Sequence, residues 1–211
     1  MNLPQADLAA GRARAIEAAM RLVEESGPAG LTYSGVAARL NLSPAGLGRY
    51  VAGFEDLLEG VAECWFAPKI AMMEEVVASD LPPRRKMYEF FARRFLHVRA
   101  SHRADPAAFQ AYCDIGNQHF ELVRSYVDLG DHYLCQIIAE AMADGHFPGL
   151  SIDEALSLIN QMIAAYVNIA LMALIMDKLS ELKLARIIDA IFDGLSAEAR
   201  GAQAVSGLRA A

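Results

Sequence analysis

The sequence predicts an all-α fold of about nine helices. Three observations lead to it. Apolar residues recur at helical spacing, first at Ile16, Ala19, Met20 and Val23, which places one stripe on a helix face. No segment alternates polar and apolar residues for more than a few positions, and β-branched clusters are rare, so the strand pattern is missing. Breakers punctuate the chain at helix-length intervals, clearest at Asp80-Leu81-Pro82-Pro83, Ala104-Asp105-Pro106 and Gly145-His146-Phe147-Pro148-Gly149.

The elements follow in order. The first helix carries the Ile16 to Val23 stripe and stops at Gly27-Pro28. Thr32 is placed to cap a short second helix with Val36, Ala37 and Leu40 on its apolar side. Asn41 tolerates a left-handed backbone, Ser43 is a good N-cap, and Pro44 fits a first helical position. A third helix is therefore predicted over 44–51, and the two short helices read as a helix-turn-helix. Glu55 and Asp56 suit the start of a fourth helix running to about Val77. A fifth starts after Pro83, a sixth at Pro106 and a seventh after Gly116-Asn117. Ser151 or Asp153 caps one long helix predicted to end near Lys178, and the last helix spans about 184–195. Residues 201–211 have little to bury and are expected to fray.

Composition narrows the function classes. Hydrophobic residues make up 55% of the 211 and charged residues 21%, enough apolar surface for a core and too little polarity for wholesale disorder. The net charge of −7 argues by itself against a nucleic-acid binder, because phosphate contacts dominate affinity. It leaves room for a regulator whose basic groups gather on one small face. Cys64, Cys113 and Cys135 are odd in number and form no CxxC pair, which fits a reducing cytoplasm. The first ten residues lack the pattern of a secretory signal. The longest apolar run, 162–176, is interrupted by Asn168 and is shorter than the ~20 residues of a membrane span, so it reads as a buried helix. HExxH, GxSxG, GxxxxGK[ST] and GxGxxG are all absent, and no His or Cys spacing suggests a metal site. No catalytic residue, metal or cofactor is expected.

The segment 31–47, Leu-Thr-Tyr-Ser-Gly-Val-Ala-Ala-Arg-Leu-Asn-Leu-Ser-Pro-Ala-Gly-Leu, resembles the DNA-binding signature of the TetR family. Ala18-Ala19, Glu25-Ser26-Gly27 and Asp56-Leu57-Leu58 extend the likeness over roughly the first third of the chain, and Gly145-His146-Phe147 resembles the family's step before its penultimate helix. The resemblance implies a DNA reader over 8–53 and a ligand-binding and dimerisation domain over 54–200. It also implies a homodimer on palindromic double-stranded DNA, released by a small, largely apolar effector, and hence a repressor. Four positions depart from the pattern. Gly46-Leu47-Gly48 stands where the family usually has Thr-Leu-Tyr, Val51 replaces an aromatic, and Phe54 replaces a lysine. The family uses that Tyr and Lys on the DNA backbone. Residues 1–66 also hold five arginines against eight acids, a net −3.

In a helix-turn-helix the second helix enters the major groove. Pro44, Ala45, Gly46, Arg49 and Tyr50 are the exposed candidates there, with Arg49 the best reader because guanidinium suits guanine and phosphate alike. Thr32 and Ser43 can donate to phosphates near helix starts, or serve as caps alone. A basic run from Arg84 to Arg103 reads as the solvated face of an amphipathic helix, with an anion-binding wall as the alternative. Candidate pocket residues are Trp65, Phe91, Phe95, Tyr112, Tyr126, Tyr166, Asn168 and Met172, since aromatic and Met side chains line adaptable pockets. Asn168 is either a pocket hydrogen-bonder or an interface residue that sets register. Met162, Ala165 and Ile169, with Ile187, Ile188 and Ile191, are predicted to form a two-fold dimer face. Two other readings stay open: a TetR-fold ligand- or protein-binding module without specific DNA binding, and a small helical enzyme.

Overall fold

The structure, a computed structural model, describes residues 5–197; the tail expected to fray at 201–211 lies outside them. The described residues form eleven α-helices and no strand. They are α1 (Gln5–Ser26), α2 (Tyr33–Arg39), α3 (Pro44–Leu47), α4 (Phe54–Val77), α5 (Pro83–Ala104), α6 (Pro106–Gln118), α7 (Phe120–Ala143), α8 (Ile152–Met162), α9 (Ala164–Val167), α10 (Ile169–Ile175) and α11 (Glu181–Leu195). Short 3-10 helices cover Pro28–Gly30 and Met176–Lys178.

The caps account for most helix starts. Thr32 Oγ1 accepts from the Gly35 N–H and Ser43 Oγ from the Gly46 N–H, each at 3.0 Å. Asp105 Oδ1 accepts from Ala108 at 2.9 Å. Ser151, rather than Asp153, caps α8, in a capping box with Glu154. Asn41 turns the chain with φ 55°.

Two elements differ from the sequence expectation. The third helix stops at Leu47 rather than Val51, because Gly48 closes it and glycine favours a helix less than any other residue but proline. The chain then tightens, with Tyr50 N–H donating to Leu47 O at 2.9 Å. The single long helix predicted from Ser151 to Lys178 is three helices and a 3-10 turn. The breaks fall at Ile163 and at Asn168, which is extended at φ −78°, ψ 108°. Asn168 Oδ1 accepts from Leu171 N–H at 2.9 Å. Asparagine competes with the helix ladder through such local bonds, so it caps a new helix instead of continuing the old one. These breaks turn the nine expected helices into eleven.

The chain divides into two compact units, residues up to 70 with 99–128, and residues 71–98 with 129 onward. In the first, Ala15, Ala19 and Val23 of α1 join Val36, Ala37, Leu47, Leu57, Leu58 and Val61 in one buried core. Ala111, Tyr112 and Ile115 of α6 belong to that same core. Tyr33 hydroxyl donates to Val51 O at 2.7 Å, tying α2 to the end of the turn. A Cβ on Gly11 would overlap the Tyr50 ring, so α1 reaches that ring only through a glycine.

In the second unit, Phe90, Phe91 and Phe95 of α5 and Leu134, Ile137 and Ile138 of α7 are buried. Phe147, held at φ 57°, puts its ring 4.9 Å from Phe192 of α11. The left-handed backbone costs about 1–2 kcal/mol, and burying the ring offsets it with about 1.5–3 kcal/mol. The basic face expected to be solvated on α5 is ion-paired instead. Arg84 reaches Asp189 and Asp193, and Arg93 reaches Glu75 and Glu89. Lys86 is only 5% exposed, and its Nζ donates to Val77 O and Glu140 Oε1, both at 2.9 Å.

Gly11→Ala is expected to lower stability by about 1–3 kcal/mol through overpacking, read as a fall in thermal midpoint. Gly53→Ala, whose Cβ meets nothing within 4 Å, should stay within about 0.5 kcal/mol of the parent.

Candidate nucleic-acid interface and aromatic cavity

α3 presents Pro44 and Ala45 to solvent and the turn after it presents Arg49, while Leu47 and Val51 are buried. Ser43 and Thr32 are exposed caps. Each hydroxyl oxygen accepts a backbone N–H, and its own proton remains available to a phosphate, so capping and phosphate contact are compatible. Tyr50 is half-buried, its ring against α1 at Gly11.

Three of the five arginines here are already engaged. Arg12 pairs with Asp56, Arg21 with Glu17 at 2.6 Å, and Arg39 with both oxygens of Glu25 at 2.5 and 2.6 Å. Arg14 and Arg49 are exposed and make no ion pair among the described residues. Arg49 is thus the cation in the turn after α3 that an incoming phosphate or guanine would meet without displacing a carboxylate.

Behind α3, in the same unit, lies a small apolar cavity of about 30 Å³. Leu58, Val61 and Trp65 of α4 line one side, Tyr112 and Ile115 of α6 another, and Leu122 of α7 a third. Trp65 stacks on Tyr112 with ring centroids 4.3 Å apart, and Phe66 stacks on Tyr126 at 4.3 Å. Lys69 Nζ sits 4.1 Å from the Trp65 ring centroid. Burial raises the Cys113 thiol pKa to about 11, so it stays a protonated, inert thiol at neutral pH. Among the predicted pocket residues, the structure brings Trp65 and Tyr112 together around this cavity. Tyr126 stacks on Phe66, which also lines the cavity; Leu58, Val61, Ala62, Trp65 and Phe66 fall at i, i+3, i+4, i+7 and i+8, one stripe of α4.

The remaining candidates belong to the second unit. Phe95 and Tyr166 meet edge to face at 5.2 Å, and Tyr166 hydroxyl donates to Ser180 O at 2.9 Å. Phe91 and Met172 are buried, and Asn168 is an exposed cap. On the predicted dimer face, Met162 is 45% exposed and Ala165, Ile169 and Ile187 are half-buried, whereas Ile188 and Ile191 lie in the unit's own core. Leu158, Leu171, Leu174 and Leu182, which were not predicted, are exposed on α8, α10 and α11.

A family model described as tetracyclin repressor-like, C-terminal domain, matches residues 83–188. The chain belongs to the TetR family of transcriptional regulators. Solved structures of the same fold include a protein of Pseudomonas aeruginosa PAO1 provisionally described as a transcriptional regulator. It is 16% identical, with TM-score 0.66 over 89% of this chain and 91% of that one. The fatty acid degradation regulator FadR from Bacillus halodurans is 15% identical, with TM-score 0.57 over 90% and 96%. The ketosteroid transcriptional regulator KstR2 of Mycobacterium tuberculosis is 15% identical, with TM-score 0.52 over 89% and 95%. No curated protein sequence matches the chain.

The departures from the TetR signature now have a structural setting. Phe54, in place of lysine, packs against the core of the first unit. A Cβ on Gly46 would lie 3.3 Å from Ser43 Oγ, and one on Gly48 3.5 Å from Ala45 O. Side chains would fit with little adjustment, so the bare backbone of α3 is not imposed by packing. No helix among the described residues is long and apolar enough to cross a membrane.

Asp56 fastens the start of α4. Its Oδ2 accepts from Ala52 N–H at 2.7 Å, and this bond, with Arg12 assisting, holds the carboxyl below the usual carboxylate range. A lowered carboxyl contributes stability that is present above its unfolded pKa and lost as pH falls through its folded one. The stability difference between the parent and Asp56→Asn should therefore be largest near neutral pH and shrink as acidification carries the pH below the ordinary aspartate range, as followed by chemical denaturation across pH.

Proposed function

We propose that this TetR-family regulator binds a palindromic operator as a homodimer and represses transcription until a small, largely apolar effector releases it. In this reading residues 8–53 read the DNA, residues 54–200 sense the effector and dimerise, and the protein works in the cytoplasm. The single observation that carries DNA reading is Arg49, exposed in the turn after α3 and without an ion pair among the described residues. Pro44, Ala45 and Gly46 offer a nearly bare helix start, which suits close backbone approach to DNA, and Thr32, Ser43 and Tyr50 supply phosphate donors.

The dimer reading is supported by exposed apolar side chains on α8, α10 and α11. Leu174 is 81% and Leu182 63% exposed, more apolar surface than a lone chain leaves to water without use. Met162, Ala165, Ile169 and Ile187 extend that face. Two structurally similar proteins are named for fatty acid degradation and ketosteroids, both apolar chemistries, which favours an apolar effector. Release requires that the effector prefer the conformation that binds DNA poorly, and the two affinities are then coupled reciprocally.

A second reading, a TetR-fold module without specific DNA binding, is favoured by Gly46, Gly48, Phe54 and the net −3 of residues 1–66. Selection of genomic fragments on the purified protein separates the two. The regulator reading predicts an enriched palindrome and a loss of roughly tenfold or more in affinity for Arg49→Ala, the scale of one base or phosphate contact. Failure to enrich any fragment, even at low salt, would leave the binding-module reading in its place.

A further inference from the structure

The cavity beside Trp65 is too small for any effector. At about 30 Å³ it has room for a water or two, whereas small-molecule sites run to about 300–1,000 Å³. A ligand seated there has to part its walls. Leu58 and Val61 on the α4 side are fixed in the buried core beneath the helix-turn-helix. Facing them, Tyr112 stands between the cavity and α1. Its ring lies on Trp65, while its hydroxyl donates to Glu24 Oε1 at 3.2 Å and toward Met20 O at 3.5 Å. Both are longer than the usual O–H···O bond of about 2.5–3.0 Å, so this tie yields before the close-packed core does. Burial, with the Glu24 charge next, raises the phenol pKa, which keeps the hydroxyl a donor.

We propose that an uncharged, flat aromatic ligand enters by replacing the Trp65–Tyr112 stack, and that Tyr112, through its bond to Glu24, transmits this opening to the C-terminal turns of α1. The proposal rests on the effector-responsive reading above and assigns its seat and its transmitting residue. The ligand class follows from the lining. Leu58, Val61, Ile115 and Leu122 bring no charge, the two stacked rings ask for a planar replacement, and His119 is the one lining residue of basic type. Tyr112 is a positioning residue here, because it acts on the reader through α1.

Trp65 is the single tryptophan of the chain, so the indole emission comes from the wall of this cavity and from no other residue. The test titrates the uncharged aromatic amine N-phenyl-1-naphthylamine into the full chain and follows Trp65 quenching. Amide hydrogen exchange in the last turns of α1 is then compared with and without saturating probe. Quenching is expected, with α1 exchange rising about fivefold or more, the low end of ordinary coupling. Glu24→Ala, exposed and outside the cavity, should still show quenching, exchange fast without probe and lose the probe response. Tyr112→Phe should lose the same response, and Glu24→Gln, which keeps an acceptor oxygen, should restore it. Absence of Trp65 quenching overturns the seat, and an equal probe response in all variants overturns the transmitting role. Neither readout needs DNA, so an α1 response in a protein that enriches no fragment would contradict the regulator reading and leave this one standing.

Discussion

Helices α2 and α3 have seven and four residues, well below the ~12–15 at which an isolated helix becomes even marginal in water. Caps at Thr32 and Ser43 close their first turns, but no cap holds a four-residue helix at a fixed angle. That work falls to burial. Val36, Ala37 and Leu47 share one buried core with residues of α1, α4 and α6, and the Tyr33–Val51 hydrogen bond and the Tyr50 ring on Gly11 fix the turn that follows α3. The helix-turn-helix surface therefore exists only while that shared core is intact. Because α6 contributes Ala111, Tyr112 and Ile115 to it and both α6 and α2 pack on α1, a change at α6 has a packed route to the helix-turn-helix through α1.

Charge completes the picture. The segment that carries the helix-turn-helix is net negative, an unusual choice where phosphate contacts supply most affinity. Pairing decides which charges matter. Arg12, Arg21 and Arg39 neutralise nearby acids and brace helices; the Arg21 and Arg39 pairs sit at exposed positions where such pairs contribute little to stability. Arg49 is left to act outward. In the second unit Arg84, Lys86 and Arg93 of α5 are likewise paired with acids of α11, α7 and α4.

Much of this was legible in the residues because the signals were local. Thr32, Asn41, Ser43, Pro44 and the Pro82-Pro83 break each act within a turn of where they stand, and each does so in the structure. Ser151 was identified with Asp153 as an alternative; Glu154, three residues on, resolves the choice through the capping box. Asn168 was noticed as an amide in an apolar run, but was placed inside a continuous helix although asparagine is a preferred N-cap. What the sequence did not disclose depends on distant partners. The acids that pair with α5 come from residues 75, 140, 189 and 193. The Gly11–Tyr50 approach joins positions far apart in the chain, and Phe66 finds Tyr126 only once α4 and α7 are packed. Ile188 and Ile191 belong to a regular apolar stripe, and periodicity alone does not say whether a stripe covers its own chain or a second copy.

The central claim is that α6 and the helix-turn-helix share one cooperative core. Native-state hydrogen exchange over a denaturant series tests it most directly, by comparing amides of α1 such as Ala19 and Val23 with amides of α6 such as Ala111 and Ile115. The account predicts that both sets open with the same free energy and the same denaturant dependence, as members of one cooperative unit do. Opening of α6 at a free energy several kcal/mol lower, while α1 stays closed, would contradict it.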